Sequence, residues 1–272
     1  MITFWKTAVL GLLVLTLNSF SKDEELITQK LHIPKGVTAG ETAGRIALSF
    51  QNTPYVARTL ELPGEEKLVI NLHELDCTTF VENVLAFTRS VQTDRLTIEQ
   101  FQKNLAHYRY YQGQVNGYGS RLHYFSSFLQ QLQTYGEAKL MAEEWGGEAY
   151  HKPIHFMTQH RNLYVQLADE KAFKLVEKIE NELNAVNNYY IPKNKIAVLE
   201  SKMQTGDVIG ITTAKAGLDV SHEGFAYRRN GRIHLLHAST DQKKVVVSSE
   251  PLADYLARHR DQTGIIVARL SY

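Results

Sequence analysis

The 272-residue chain carries 30 Lys and Arg against 29 Asp and Glu, a formal charge of +1. No basic stripe runs along it, which removes the electrostatic footprint of a nucleic-acid binder. A single cysteine, Cys77, excludes a disulfide framework within the chain, yet about 250 residues are enough to bury a full core without one.

The chain opens with MITFWKTAVLGLLVLTLNSFSKDEE, in which Lys6 precedes an apolar run from Ala8 to Leu17, followed by Ser19, Ser21 and a charged KDEE. That order predicts a secretory signal peptide over residues 1–21, and the run is shorter than the roughly 20 apolar residues of a membrane-spanning helix. No cysteine stands at the expected cleavage point to take a lipid. The expectation is therefore a periplasmic or secreted protein without a stable membrane anchor. In such an oxidising compartment thiols usually occur in pairs, so a lone cysteine is either inert core or free for a chemical reason.

Residues 22–60 read as an amphipathic helical entry, with TAGETAGRIALSF at helix period and a stop at the proline of QNTPYV. EKLVINL alternates like a short strand. From Cys77 the apolar positions Phe80, Val81, Val84 and Leu85 follow one helix face. Further helices are expected at TIEQFQKNLAHYR, HYFSSFLQQLQTY and DEKAFKLVEKIENELNA. After residue 190, GDVIGIT, EGFAYRR, RIHLLHA, KKVVVSS and GIIVARL are strand candidates, with one helix, EPLADYLARH, among them. Helices first and an antiparallel sheet last define an α+β domain. We expect one domain over residues 22–272, with a helical insertion at about 113–190 beside the sheet.

Asp76 is a favoured N-cap residue, so the helix should begin at Cys77. A thiol in the first turn feels the positive end of the helix dipole, which favours thiolate. A nucleophilic cysteine needs a base, and the base an orienting group. VSHEGFAYRRNGRIHLLHAST contains Asn-Gly flanked by alternating residues, the strongest short hairpin signal. With Asn230 and Gly231 as the turn, His222 faces Ser239 and His237 faces Gly224, so the two histidines share a face as diagonal neighbours about 7–8 Å apart at the backbone. His234 falls opposite Tyr227 on the other face and is assigned no chemistry. Zinc held by Cys77, His222 and His237 is a competing reading, since three such ligands plus water form a catalytic zinc pattern. An inert buried Cys77 is another.

LDCTTFV resembles the DCSGFV element of the NlpC-type bacterial cell-wall peptidases and amidases, a branch of the papain-like cysteine hydrolases. GDVIGI, SHEGFAY and LLHAST resemble that family's GD, HVGIY and IHA elements, and TPYV its upstream PY, all in the family's order. The resemblance implies a papain-like core with the cysteine-bearing helix packed on the sheet. It also implies Cys77 as nucleophile, His222 as base and His237 as orienting residue, with Tyr55 lining the substrate cleft. The departures are Thr78 and Thr79 in place of Ser-Gly, Glu223 in place of a common Val, and a long gap before His222. That gap, with GYGSRLHYFSSF inside it, is similar to a branch first catalogued as a domain of unknown function, whose members are N-acetylmuramoyl-L-alanine amidases acting on anhydro-muropeptides.

The implied partners are thus peptidoglycan fragments, and the implied chemistry requires no metal or organic cofactor. Arg121, His123 and Tyr124 are candidates for holding a sugar or a peptide carboxylate, Arg through its planar fork; the plainer alternative is a helix start with a solvated arginine. Asp76, beyond its cap, and Ser221, beside the base, are further candidate substrate contacts. Two other functions stay open here: an endopeptidase cutting between the D-glutamyl and diamino-acid residues of the stem peptide, and a non-catalytic cell-wall binding module.

Overall fold

The computed structural model describes residues 22–272; the expected signal peptide lies outside the described residues. The helices are α1 (Lys22–Leu31), α2 (Ala39–Leu48), α3 (Cys77–Gln92), α4 (Ile98–Arg109), α5 (Phe125–Thr134), α6 (Phe156–Gln159), α7 (Glu170–Asn184), α8 (Ile196–Leu199) and α9 (Leu252–Arg258). The strands are β1 (Ala138–Leu140), β2 (Glu148–Ala149), β3 (Tyr189–Pro192), β4 (Val208–Thr213), β5 (Val220–Arg229), β6 (Arg232–Ser239), β7 (Lys244–Pro251) and β8 (Gln262–Leu270). They form one sheet in the order β2-β3-β8-β4-β5-β6-β7, with β1 also on β8, and every pair in it is antiparallel. Among the described residues no helix is long and apolar enough to cross a membrane.

The chain is an α+β protein in which helices cover both faces of this sheet. On one face α3 lays Phe80, Val84 and Phe87 against Phe225, Leu236 and Ala268, and α2 and α4 close the layer through Ile46, Phe101 and Leu105. Phe80 sits edge-on between Phe50 and Phe225, with centroids 6.1 and 5.8 Å away, an arrangement that aromatic quadrupoles favour. On the opposite face Ile209, Ile211, Leu235 and Val267 pack with Leu252 and Leu256 of α9. The period-2 pattern of the late strands serves both layers at once, which is why so much of β4 and β6 is buried on both sides.

Asn230 and Gly231 take the expected hairpin turn, both at positive φ (52° and 81°), as a type I′ turn requires. Arg229 therefore pairs with Arg232 and Tyr227 with His234, as the sequence register demanded. Gly206 precedes β4 at φ 89°, where a Cβ would lie 1.9 Å from the Gly40 carbonyl oxygen; the Gly-Asp turn is thus wedged against the start of α2.

Two segments differ from the sequence reading. Residues 66–72 form no strand. Two of its carbonyls are taken by side chains: Arg109 Nη1 donates to Val69 O and the Tyr110 hydroxyl to Lys67 O. Residues 113–190 do more than flank the sheet. α5 packs into the main core through Phe128 and Leu132, and β1, β2 and β3 extend the sheet itself. Strands of two to four residues have too few positions for a period to show. The remainder forms its own apolar cluster around Phe156, Leu167, Val176 and Leu183. Buried Glu180 ties the elements of this cluster together by accepting from the Tyr124 hydroxyl (2.6 Å) and from the Met157 and Thr158 N–H groups.

Phe80→Ala removes the ring on which α3 docks to β5. It should cost about 3–5 kcal/mol of unfolding free energy in urea denaturation, whereas the same truncation at exposed Val37 should change it by less than about 0.5 kcal/mol.

Candidate active site

The helix that carries Cys77 starts where local chemistry requires. Asp76 is extended (φ −96°, ψ −176°) and its carboxylate accepts the Thr79 N–H at 2.9 Å, while the Asp76 N–H donates to the Thr79 hydroxyl, a reciprocal capping box. This consumes the Thr79 N–H. The N–H groups of Cys77 and Thr78 are left without a hydrogen-bond partner among the described residues. They are first-turn donors at the positive end of a 16-residue helix.

Cys77 is a free and partly accessible thiol. Its sulfur engages the backbone of Glu223 and the side chain of Thr78, both of which favour thiolate. Burial, with the Glu223 and Asp76 carboxylates after it, outweighs them and pushes the thiol well above its ordinary range. The bias toward thiolate expected of a helix start is outweighed by this buried, acid-flanked position.

His222 and His237 are both buried, and His222 Nε2 lies 2.6 Å from His237 Nδ1 with the rings nearly perpendicular. Sequence placed them on one face, and they are. A bulge contributes: Ile211 pairs with His222 but Thr212 with Val220, leaving Ser221 as the extra residue. Such bulges re-aim side chains next to sites. In register, the pair shares the face of Ile211 and Leu235, opposite the face on which α3 packs. The thiol meets this region at the Glu223 backbone, one residue from His222. Cys77 lies within electrostatic reach of both Tyr55 and Tyr255, and the Tyr255 ring stands edge-on to His237 at 5.5 Å. His234 belongs to the other face, bonded to the Ser248 carbonyl. No three His, Cys, Asp or Glu side chains among the described residues converge to hold a metal ion.

Burial lowers His222 to about 4, and burial together with His222 and His259 lowers His237 to about 2. Both rings are thus neutral near pH 7. A neutral imidazole has one donor and one acceptor nitrogen. If His222 donates from Nε2 to His237, its Nδ1 is left bare as a base.

A cleft of about 240 Å³ runs from Asp76 and Thr78, the residues flanking Cys77, along Glu82, Arg109, Arg121 and His123. Tyr55 stands at the site, its hydroxyl pushed up to about 12 by burial, Cys77 and Asp76. Arg121 lines the cleft, but its fork is already engaged: Nε and Nη2 hold Glu66 (2.7 and 2.8 Å), Nη1 holds Glu61, and Nη2 also reaches Leu60 O. That correction applies to its expected grip on a substrate carboxylate; its donors hold residues 60–66 against the cleft instead. His123 Nε2 bonds Tyr118 O, and burial lowers the ring to about 4. The Tyr124 hydroxyl is committed to Glu180. Ser221 is exposed on the bulge.

Sequence reasoning passed over three features. Thr78 donates to Glu223 at 2.6 Å, Glu82 pairs with buried Arg109 at 2.7 Å, and Tyr118 and Tyr164 face the cleft from the segment after α4. Glu82 follows the apolar face of α3 by one residue, and nothing local marks it as buried. Glu223 was marked only by standing where the family has Val.

Acid–base behaviour follows from these positions. Burial raises Glu223 to about 8. A carboxyl raised on folding contributes stability at low pH that is lost as pH rises from its unfolded value through about 8, so Glu223→Gln should flatten the alkaline limb of a Tm-against-pH curve. His222, His123 and His237 are lowered on folding. They contribute stability above about pH 6.5 that is lost as the medium is acidified toward 4, so His222→Gln should flatten the acid limb. Unchanged curves in both variants would contradict these assignments.

The α+β scaffold that carries these residues recurs in solved structures of amidases. Two crystal structures of an N-acetylmuramoyl-L-alanine amidase from Bacteroides uniformis superpose with TM-score 0.82 at 37% and 38% identity, covering 86% of this chain and 99% of theirs. A Legionella pneumophila protein matches at TM-score 0.68 over 92% of this chain and 94% of its own; at 24% identity it speaks to the fold alone. None of the curated proteins matches the chain. The family model described as AmiA-like, N-acetylmuramoyl-L-alanine amidase-like, matches residues 45–265, and the chain belongs to that family.

Proposed function

We propose that this protein is a cysteine-dependent amidase of the cell-wall periplasm that frees peptides from muropeptides by cutting the amide between the lactyl group of N-acetylmuramic acid and L-alanine. The observation that carries the reading is the 2.6 Å contact between His222 Nε2 and His237 Nδ1, set beside the thiol at the start of α3 in a chain of the amidase-like family. The substrate is drawn from that family and from the B. uniformis amidase.

The thiol and base begin neutral, so attack and proton transfer go together. His222 Nδ1 takes the Cys77 proton as sulfur adds to the scissile carbonyl. The unpartnered N–H groups of Cys77 and Thr78 receive the oxyanion, a task suited to donors that need not reorganise. The imidazolium of His222 then protonates the leaving alanine nitrogen, the C–N bond breaks, and a thioester to the lactyl carbon remains. Water, deprotonated by His222, hydrolyses it and restores the thiol. His237 holds the ring and its tautomer throughout, as the third member of such triads does.

Cys77→Ala should retain the cooperative unfolding of the wild type and abolish turnover, while His222→Ala should lower kcat by roughly 10²–10⁴-fold. Incubation with defined anhydro- and reducing muropeptides, followed by mass spectrometry of products, should show a free peptide beginning at L-alanine. Products cut instead between D-glutamate and the diamino acid would replace the amidase with an endopeptidase. Turnover surviving in Cys77→Ala would remove the cysteine mechanism.

A further inference from the structure

Three arginines line the cleft: Arg58, Arg109 and Arg121. Two are neutralised by the protein itself. Arg109 Nε bonds Glu82 and its Nη1 the Val69 carbonyl; Arg121 is spent on Glu66, Glu61 and Leu60 O. Arg58 differs. The one hydrogen bond of its side chain among the described residues runs from Nη2 to the Leu163 carbonyl at 2.8 Å, and no ion pair there includes it. A guanidinium has five N–H donors, so most of the fork faces the cleft uncommitted.

Its placement is also held at a cost. Arg58 has φ 64°, a left-handed conformation unfavourable for a residue with a Cβ, and such strain clusters where structure serves a ligand. The segment before it is pinned at two points: the Tyr55 N–H donates to Lys243 O, and the Val56 N–H to Leu75 O, two residues before Cys77. The Arg58 carbonyl in turn accepts the Glu61 N–H. An exposed side chain on a tethered backbone thus brings a positive charge to the cleft that Asp76 and Thr78 also line.

We infer that Arg58 is a specificity-determining residue that binds a free carboxylate on the peptide portion of the substrate. The inference rests on the amidase reading above and deepens it. In an N-acetylmuramoyl peptide the lactyl acid is consumed in the scissile amide and the sugar carries no other acid. Every anionic group therefore lies on the peptide side. The first is the α-carboxylate of the second residue when that residue is an iso-glutamate. A planar fork with free donors suits a bidentate grip on it. Arg58 thereby orients the substrate, with the peptide running along residues 58–61 and 164 and the sugar directed away from them.

The test compares N-acetylmuramoyl-L-alanyl-D-iso-glutamate with its iso-glutamine amide, which removes the α-carboxylate charge, keeps the shape and leaves the γ-carboxylate common to both. Wild-type enzyme should prefer the acid in kcat/KM by about tenfold or more, the worth of one charge-assisted hydrogen bond, with the difference mainly in KM. Arg58→Gln should bring the ratio near one, and Arg58→Lys, which keeps charge without the fork, should retain part of it. A wild type that cuts both equally, or an Arg58→Gln variant that keeps the preference, overturns the proposal and leaves the amidase standing. If neither compound is cut, calorimetric binding of both compounds to Cys77→Ala and Cys77→Ala/Arg58→Gln decides the proposal by itself, and the anhydro-muropeptide assay decides the amidase reading. Tighter binding of the acid only where Arg58 is present supports it; equal binding overturns it.

Discussion

The first turn of α3 docked against β5 is the contact on which the site depends. Phe80 meets Phe225 edge-on, Thr78 donates to Glu223, and the Cys77 sulfur engages the Glu223 backbone. All three contacts join residues 77–80 to residues 223–225. The apolar pair supplies the driving force and the polar pair sets the azimuth, because the buried Glu223 carboxyl is costly unless a donor, here the half-buried Thr78 hydroxyl, meets it. The capping box then fixes the start of the helix to the residue. A helix beginning one residue later would rotate the thiol by about 100° around the axis.

Carboxylates make this docking expensive. Asp76, Glu82 and Glu223 lie within electrostatic reach of one another, and each has its own compensation: the Thr79 N–H for Asp76, Arg109 for Glu82, and the Thr78 hydroxyl for a Glu223 kept largely protonated near neutrality. The same field acts on the thiol, which rests neutral beside neutral histidines. A neutral thiol stores no exposed thiolate for oxidation, and in the proposed mechanism nucleophile formation is contingent on proton transfer to His222. In an oxidising compartment that arrangement would protect an unpaired cysteine.

Long-range placement separates what was legible from what was not. The helices of 10 to 16 residues and the five late strands carried clear periods, and the Asn-Gly turn set the register that joins His222 to His237. Residues 66–72 alternated like a strand, yet their partners are the side chains of Arg109 and Tyr110, which no local pattern announces. The short strands β1 to β3 acquire their pairing from β8 and from each other, so the middle of the chain looked like an appendage when part of it completes the sheet. Arg121 looked like a substrate ligand because of its type and neighbours; Glu61 and Glu66, some 55–60 residues earlier, decide otherwise.

By itself the sequence determined the local conditions of the chemistry: a helix beginning at Cys77 because Asp76 and Thr79 can cap it, and two imidazoles side by side because the hairpin turn admits one register. These are properties of neighbours in the chain or across one tight turn. Only the tertiary structure decided the protonation of the thiol, the identity of the uncommitted arginine and the wall of the cleft. Each of those depends on desolvation and on charges brought from distant segments, and burial is a property of the whole packed molecule that no stretch of chain contains.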